Sequence, residues 1–233
     1  VIENELVEIK EKYADERRTR IIKMATEFNP EDMYADDDMV ITISHLGYIK
    51  RTPLADFRQQ GRGGIGAKAG AARDEDFIEY VHQANMHSTM MFFTEQGRLY
   101  WTKVYELPEG NRQSKGRALQ NMINIQKGDK VCAFIHVKNL SDQEYVQNHY
   151  LIFATKNGLM KKTTLESYSR PRTNGIIALG LREDDRLIRV TLTDGKSQML
   201  VASYNGKVVR FPEDTVRPMG RTATGVRAIK LDE

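Results

Sequence analysis

Residues 59–66 read Gln-Gln-Gly-Arg-Gly-Gly-Ile-Gly, four glycines set around Arg62. Glycine reaches positive φ and lets another backbone come close, so such a turn can gather its amides into an anion-binding concavity. The guanidinium of Arg62 adds a forked cation suited to phosphate oxygens. The plain alternative is a glycine-rich surface turn. A dinucleotide loop must open a helix within a βαβ unit, and this stretch does not meet that condition. Other chemistry is sparse. His45, His82, His87, His136 and His149 show no metal-ligand spacing with carboxylates, and no HExxH, GxSxG or GxxxxGK[ST] pattern occurs. Asp36, Asp37 and Asp38 suggest either a cation site or a solvated acidic linker. Cys132 is the only cysteine, which excludes an internal disulfide and a cysteine-rich zinc site and fits a reducing compartment.

The elements that must position these groups form a repeat. Each unit opens with an apolar strand, a glycine turn and a second strand ending in basic residues. The first strands are Val40-Ile-Thr-Ile-Ser44, Met90-Met-Phe-Phe-Thr94, Leu151-Ile-Phe-Ala-Thr155 and Leu200-Val-Ala-Ser203, and the turn glycines are Gly47, Gly97, Gly158 and Gly206. Lys50 and Arg51, Lys103, Lys161 and Lys162, and Arg210 end the second strands. A second glycine, Gly66, Gly116, Gly175 or Gly225, follows 19, 19, 17 or 19 residues later. Runs at 77–82, 130–137 and 186–192 close the first three units, and the fourth has no such run. Hairpin glycines 50, 61 and 48 residues apart give the period of a propeller blade, the longer interval reflecting the polar loop 139–147. Three and a half blades should not close on themselves, which suggests an excised piece, as does Val1 where an initiator methionine is expected.

Before the repeat, Ile2, Leu6, Ile9 and Tyr13 make one apolar stripe with heptad spacing, predicting a helix to about Arg18 and on toward Ala25. The division predicted is a helix over 1–28, an acidic linker over 29–38 and a β-blade body over 39–233. The net charge of +3 hides an asymmetry: residues 39–233 hold 29 basic against 20 acidic side chains. Cations gather near each second glycine: Arg58, Arg62 and Lys68; Arg112, Lys115 and Arg117; Arg170 and Arg172; Arg217, Arg221 and Arg227. Such a belt could meet successive phosphates of a bending duplex, or merely solvate a propeller used for protein contacts. Phe92, Phe93, Trp101, Phe134 and Phe153 sit in apolar strands and read as core, so no stacking platform for single strands is evident. An enzyme with a phosphate substrate at 61–66 lacks a convincing general base.

Residues 60–66 resemble the gyrase A box, Gln-Arg-Arg-Gly-Gly-Lys-Gly, of the C-terminal DNA-wrapping domain of bacterial type IIA topoisomerase A subunits. Residues 5–19 resemble the helix leading out of the coiled-coil arm in that family. The resemblance covers nearly the whole chain. It implies an all-β pinwheel of blades of about 50 residues that exchange strands, preceded by an α-helix, wrapping duplex DNA and supporting ATP-dependent negative supercoiling in the bacterial cytoplasm. It implies no cofactor here. ATP and Mg2+ would be used through other domains and the B subunit, in a membrane-free assembly with a second A subunit. The candidate DNA contacts are Lys50, Arg51, Arg58, Gln60, Arg62, Gly63, Gly64, Gly66, Lys68, Lys115, Arg117, Lys161, Lys162, Arg170, Arg172, Arg210 and Arg221. Gly61 stands where the box has arginine and Ile65 where it has lysine, which leaves topoisomerase IV as the alternative to gyrase.

Overall fold

A computed structural model describes residues 2–16, 18–19, 29–57, 59–66 and 76–231. The chain divides into a small unit ending at Met33 and a large one from Tyr34 onward. In the small unit, helix α1 (Ile2–Tyr13) buries no residue, and its stripe is open, with Ile2 74% and Tyr13 72% exposed. It ends where Ala14 donates to the Lys10 carbonyl, short of the predicted Arg18. A helix of 12 residues without a buried face rests on local energy alone, which is marginal at that length. The expected continuation toward Ala25 falls largely outside the described residues. No described helix is long and apolar enough to cross a membrane.

In the large unit, three hairpins have both faces covered: β1 (Asp38–Ser44) with β2 (Tyr48–Pro53), β4 (Thr89–Thr94) with β5 (Arg98–Lys103), and β8 (Tyr150–Thr155) with β9 (Leu159–Thr164). This is why their first strands are continuous apolar runs and not alternating ones. The period of two divides each run between two cores. Met90 and Phe92 join Ile41 and Ile49 of the first hairpin, while Met91 and Phe93 join Leu151 and Phe153 of the third. A fourth hairpin, β12 (Gln198–Ala202) with β13 (Val208–Pro212), packs Met199, Val201 and Phe211 against Ile152 and Met160.

Closing strands β3 (Ile78–Asn85), β7 (Val131–Val137) and β11 (Leu187–Thr193) pair with β1, β4 and β8. The opposite edge of each sheet is completed by a two-residue strand from the next unit. These are β6 (Arg117–Ala118) on β2, β10 (Ile176–Ile177) on β5 and β14 (Val226–Arg227) on β9. The blades therefore exchange strands. The longer middle interval also holds a short helix, α2 (Gln143–Asn148), capped by Asp142.

The second glycines occupy the exchange point. Gly116, Gly175 and Gly225 have φ of +83°, +65° and +97°, and a Cβ at any of them would run into the carbonyl oxygen of Ile49, Leu99 or Met160 on the preceding hairpin. One peptide then leads into the exchanged strand. Their near-constant spacing measures the chain needed to cross from one blade to the next.

The hairpin turns repeat a device that composition does not reveal. Ser44, Thr94, Thr155 and Ser203 each accept, through the side-chain hydroxyl, the amide four residues on, at Tyr48, Arg98, Leu159 and Lys207. Asp76, Asp129 and Asp185 accept the turn amides of Leu46, Gln96 and Asn157 at 3.0–3.2 Å. Against burial, which raises it, the Leu46 amide, the Ser44 hydroxyl and the Phe77 amide hold Asp76 below the usual carboxylate range. The acidic stretch before β1 is bonded too: Asp36 accepts the His87 amide, and Tyr34 stacks on Tyr105 at 5.0 Å.

Candidate nucleic-acid interface

The two edges of the blades differ in chemistry. The closing strands β3, β7 and β11 converge on a shared cavity of about 280 Å³, lined by Tyr80, His82, Phe134, His136 and Arg189 among others. Burial pulls both His82 and His136 below the ordinary imidazole value, and their rings lie 6.3 Å apart. Burial also pushes the Cys132 thiol up to about 12, which leaves it protonated and unreactive. This is the inner edge. The exchanged strands, and the turns leading into them, form the opposite, outer edge.

Four such rim turns are described. Gly64 donates to Gly61, Ser114 to Asn111, Gly175 to Arg172 and Ala223 to Gly220, at 2.9–3.2 Å. Arg62 and Arg112 occupy the same place in the first and second turns and are exposed, Arg221 occupies it in the fourth and is half-buried, and Arg172 opens the third. Lys115, Arg117, Arg170 and Arg210 are exposed as well. Arg210 also donates to Gln198 at 3.4 Å.

The first turn closes on itself. The Gln60 side-chain oxygen accepts the Gly66 amide at 3.0 Å, so this glutamine shapes the loop from within. A Cβ at Gly64 would collide with Gln60, and Gly63 and Gly66 adopt φ of +79° and +81°, so three of the loop's glycines are required where they stand. Ile65 is fully exposed. Arg58 and Lys68 lie outside the described residues.

Four of the candidate contacts point inward. Lys50, Arg51, Lys161 and Lys162 are 1%, 7%, 0% and 4% exposed, so they cannot reach a phosphate on the surface. Their strands are covered on both faces, and a charge buried there must be paired or hydrogen-bonded. Lys50 donates to the carbonyls of Asn111, Arg112 and Ser114 at 2.9–3.0 Å. Arg51 donates to Leu107 at 2.8 Å and pairs with Glu109 at 3.0 Å. Lys161 donates to Ala178 and Arg221 at 2.6 and 2.5 Å and lies 4.8 Å from the Phe153 ring centroid. Lys162 pairs with fully buried Glu213 at 3.0 Å.

The aromatic residues read as core stay inside. Phe92, Phe93 and Phe153 are fully buried, Phe134 is buried, and Trp101 packs half-buried against the second core. The described rim turns thus offer cations and glycine backbone, and none of the four carries an aromatic residue. No cluster of metal-ligating groups occurs among the described residues. The turn-capping hydroxyls and aspartates, Arg98, Asn111 and Glu213 are structural parts that no sequence motif marks. Aligning the four units on their hairpin glycines would have exposed the hydroxyls as a repeat, each three residues before its glycine.

Comparison with known proteins places these features in a family. The model described as DNA gyrase C-terminal domain, beta-propeller, matches residues 38–85, 88–138, 149–194 and 198–233, one segment per unit. The A subunit of DNA gyrase from Haemophilus influenzae is 45% identical over 231 residues, 99% of this chain and 26% of that protein. Its Staphylococcus epidermidis counterpart is 42% identical over 234 residues, with 100% and 26% coverage. The chain thus spans about a quarter of the length of these relatives. Among solved structures, the C-terminal domain of DNA topoisomerase IV superposes with a TM-score of 0.71 at 28% identity, covering 85% of this chain and 59% of that one. A DNA gyrase A C-terminal domain gives 0.64 at 22% identity with 84% and 62% coverage, a likeness of fold. With blades that exchange strands and a family match in every unit, the chain belongs to the DNA gyrase C-terminal domain family of β-propellers.

Proposed function

We propose that the large unit binds and wraps duplex DNA with little sequence preference, along the rim formed by the turns at 61–64, 111–114, 172–175 and 220–223. The observation that carries this reading is the return of exposed or half-exposed arginines to the same outer turn in successive units, while the strand cations are turned inward. The working track is Arg62, Arg112, Lys115, Arg117, Arg170, Arg172, Arg210 and Arg221, with Gly63, Gly64 and Gly66 as close-approach backbone and Gln60 shaping the first turn. Arg58 and Lys68 flank that turn in sequence and belong to the same proposal.

Bending a duplex of 20–30 bp costs about 1–6 kcal/mol, which many modest phosphate contacts can offset. Among the described residues nothing on the rim resembles a recognition helix, so charge and shape govern binding. In the parent enzyme this wrapping supports ATP-dependent negative supercoiling in the bacterial cytoplasm. ATP and Mg2+ would act through other domains and the B subunit, in an assembly with a second A subunit.

Religation of nicked circular DNA in the presence of the protein tests the reading. A shift in linking number with added protein supports wrapping, and its sign gives the handedness. An unchanged linking number, together with no binding to duplex, refutes it. The second reading, the corresponding domain of topoisomerase IV, draws on the 0.71 superposition and on Gly61 and Ile65 in the box, but the intact Arg62-Gly-Gly-Ile-Gly66 core and the gyrase A relatives at 45% and 42% identity favour gyrase. The weaker contact expected of those two residues predicts a smaller shift in the same assay.

A further inference from the structure

At every junction between described units, a cation from the second hairpin strand reaches the rim turn of the following unit. Lys50 holds the carbonyls of Asn111, Arg112 and Ser114. Arg98 donates to the Asn174 carbonyl at 3.0 Å, braced by Tyr100, which stands in register with Lys50. Lys161, again in that register, holds the Arg221 carbonyl. The contact recurs with different residue types, so what repeats is the clamp.

We propose that Lys50, Arg98 and Lys161 are positioning residues for DNA, each fixing a rim turn through its carbonyls, and that at the Lys161 junction this makes DNA affinity depend on a proton. The inference rests on the duplex-binding reading above. Lys161 is enclosed by the Phe153 ring from β8, the Tyr168 hydroxyl at 3.4 Å, the Ala178 carbonyl and the Arg221 turn. The titratable or charged groups that act on it are Tyr168, whose own hydroxyl is pushed up by burial, and the Arg221 guanidinium. No carboxylate is bonded to the ammonium among the described residues. Burial first, and the Arg221 charge second, bring its pKa down to about 7.

The sign follows from the donors. Protonated Lys161 has three hydrogens for three acceptors, the Ala178 and Arg221 carbonyls and the Tyr168 oxygen. The neutral amine has two, and it loses the charge beneath the turn. Phosphate near Arg221 favours the charged form, so binding takes up a proton. In stability alone the effect runs the other way. The unfolded chain keeps this proton up to the ordinary lysine range, so between about pH 7 and 10 the folded state gains stability as pH rises. Weaker binding at higher pH is then not a sign of unfolding.

The test is duplex binding by the 233-residue chain across about pH 6.5 to 8.5, where affinity should fall roughly fivefold, the low end of coupling between sites. Calorimetry in buffers of different ionisation enthalpy should show proton uptake near neutrality. Lys161→Met should bind more weakly with a flatter pH profile, while Lys161→Arg should restore affinity with the profile still flat. Adding Arg221→Ala to Lys161→Met should cost little beyond either change alone. A wild-type chain that binds duplex without proton uptake overturns the proposal whatever the variants do, as do additive losses in the double variant. Failure of the wild-type chain to bind duplex at any pH would instead overturn the duplex-binding reading itself.

Discussion

Rim turns one and two have matching turn hydrogen bonds and are held by different means. The second turn is seated: Lys50 lies beneath its carbonyls, Asn111 accepts the amides of Gln113 and Ser114 at 3.0 and 2.9 Å, and Gly116 abuts the Ile49 carbonyl. The first turn is tied by its own Gln60, and among the described residues nothing lies within 4 Å of where a Cβ at Gly66 would stand. A seated turn can dispense with glycine at several positions, because a neighbour supplies the order. A self-tied turn needs glycine to bend and a glutamine to close. That accounts for the dense glycine of residues 59–66 without making those glycines the only phosphate site.

The largest expected effect lies at the junction of the third and fourth units, which holds the buried Lys162–Glu213 ion pair. Glu213→Ala would strip Lys162 of its carboxylate and Thr193 of its acceptor, at about 3–5 kcal/mol in chemical denaturation. A loss below about 1 kcal/mol would mean that the seat is held by packing alone. Next come the glycines. Gly116→Ala forces a positive φ and a backbone collision together and should cost roughly 3 kcal/mol, whereas Gly66→Ala meets only the φ penalty and should cost about 1 kcal/mol. Equal losses would erase the distinction between the two turns. The smallest effect on stability belongs to Gln60→Ala, within about 0.5 kcal/mol in thermal unfolding, because it unties one exposed loop. Its effect should appear as faster amide exchange at Gly66 and weaker duplex binding.

Much of the fold was legible because its signals are local. The apolar runs, the turn glycines and the regular return of a second glycine marked four units, and the structure shows a hairpin in each. The direction of the strand cations was not legible. Alternation tells which residues share a face, but it does not tell that both faces are covered, and Lys50 and Lys161 read as surface until the next unit is laid over them. A rule emerges from the outcome: among the candidate cations of the covered hairpins, those inside the strands turn inward, while those in the rim turns and exchanged strands stay on the surface. Helix α1 stops at Tyr13 although its heptad stripe predicts more, because spacing records a capacity for packing and no described residue of the helix is buried.

The most direct measurement of the central claim is the salt dependence of duplex binding for the wild-type chain and for a variant carrying Arg62→Ala, Arg112→Ala, Arg172→Ala and Arg221→Ala together. If the outer turns form the phosphate track, the logarithmic slope is steep in the wild type and shallower in the variant by about 0.9 for each phosphate no longer neutralised. A slope unchanged by all four substitutions would contradict the account and place the DNA, if it binds, on another face.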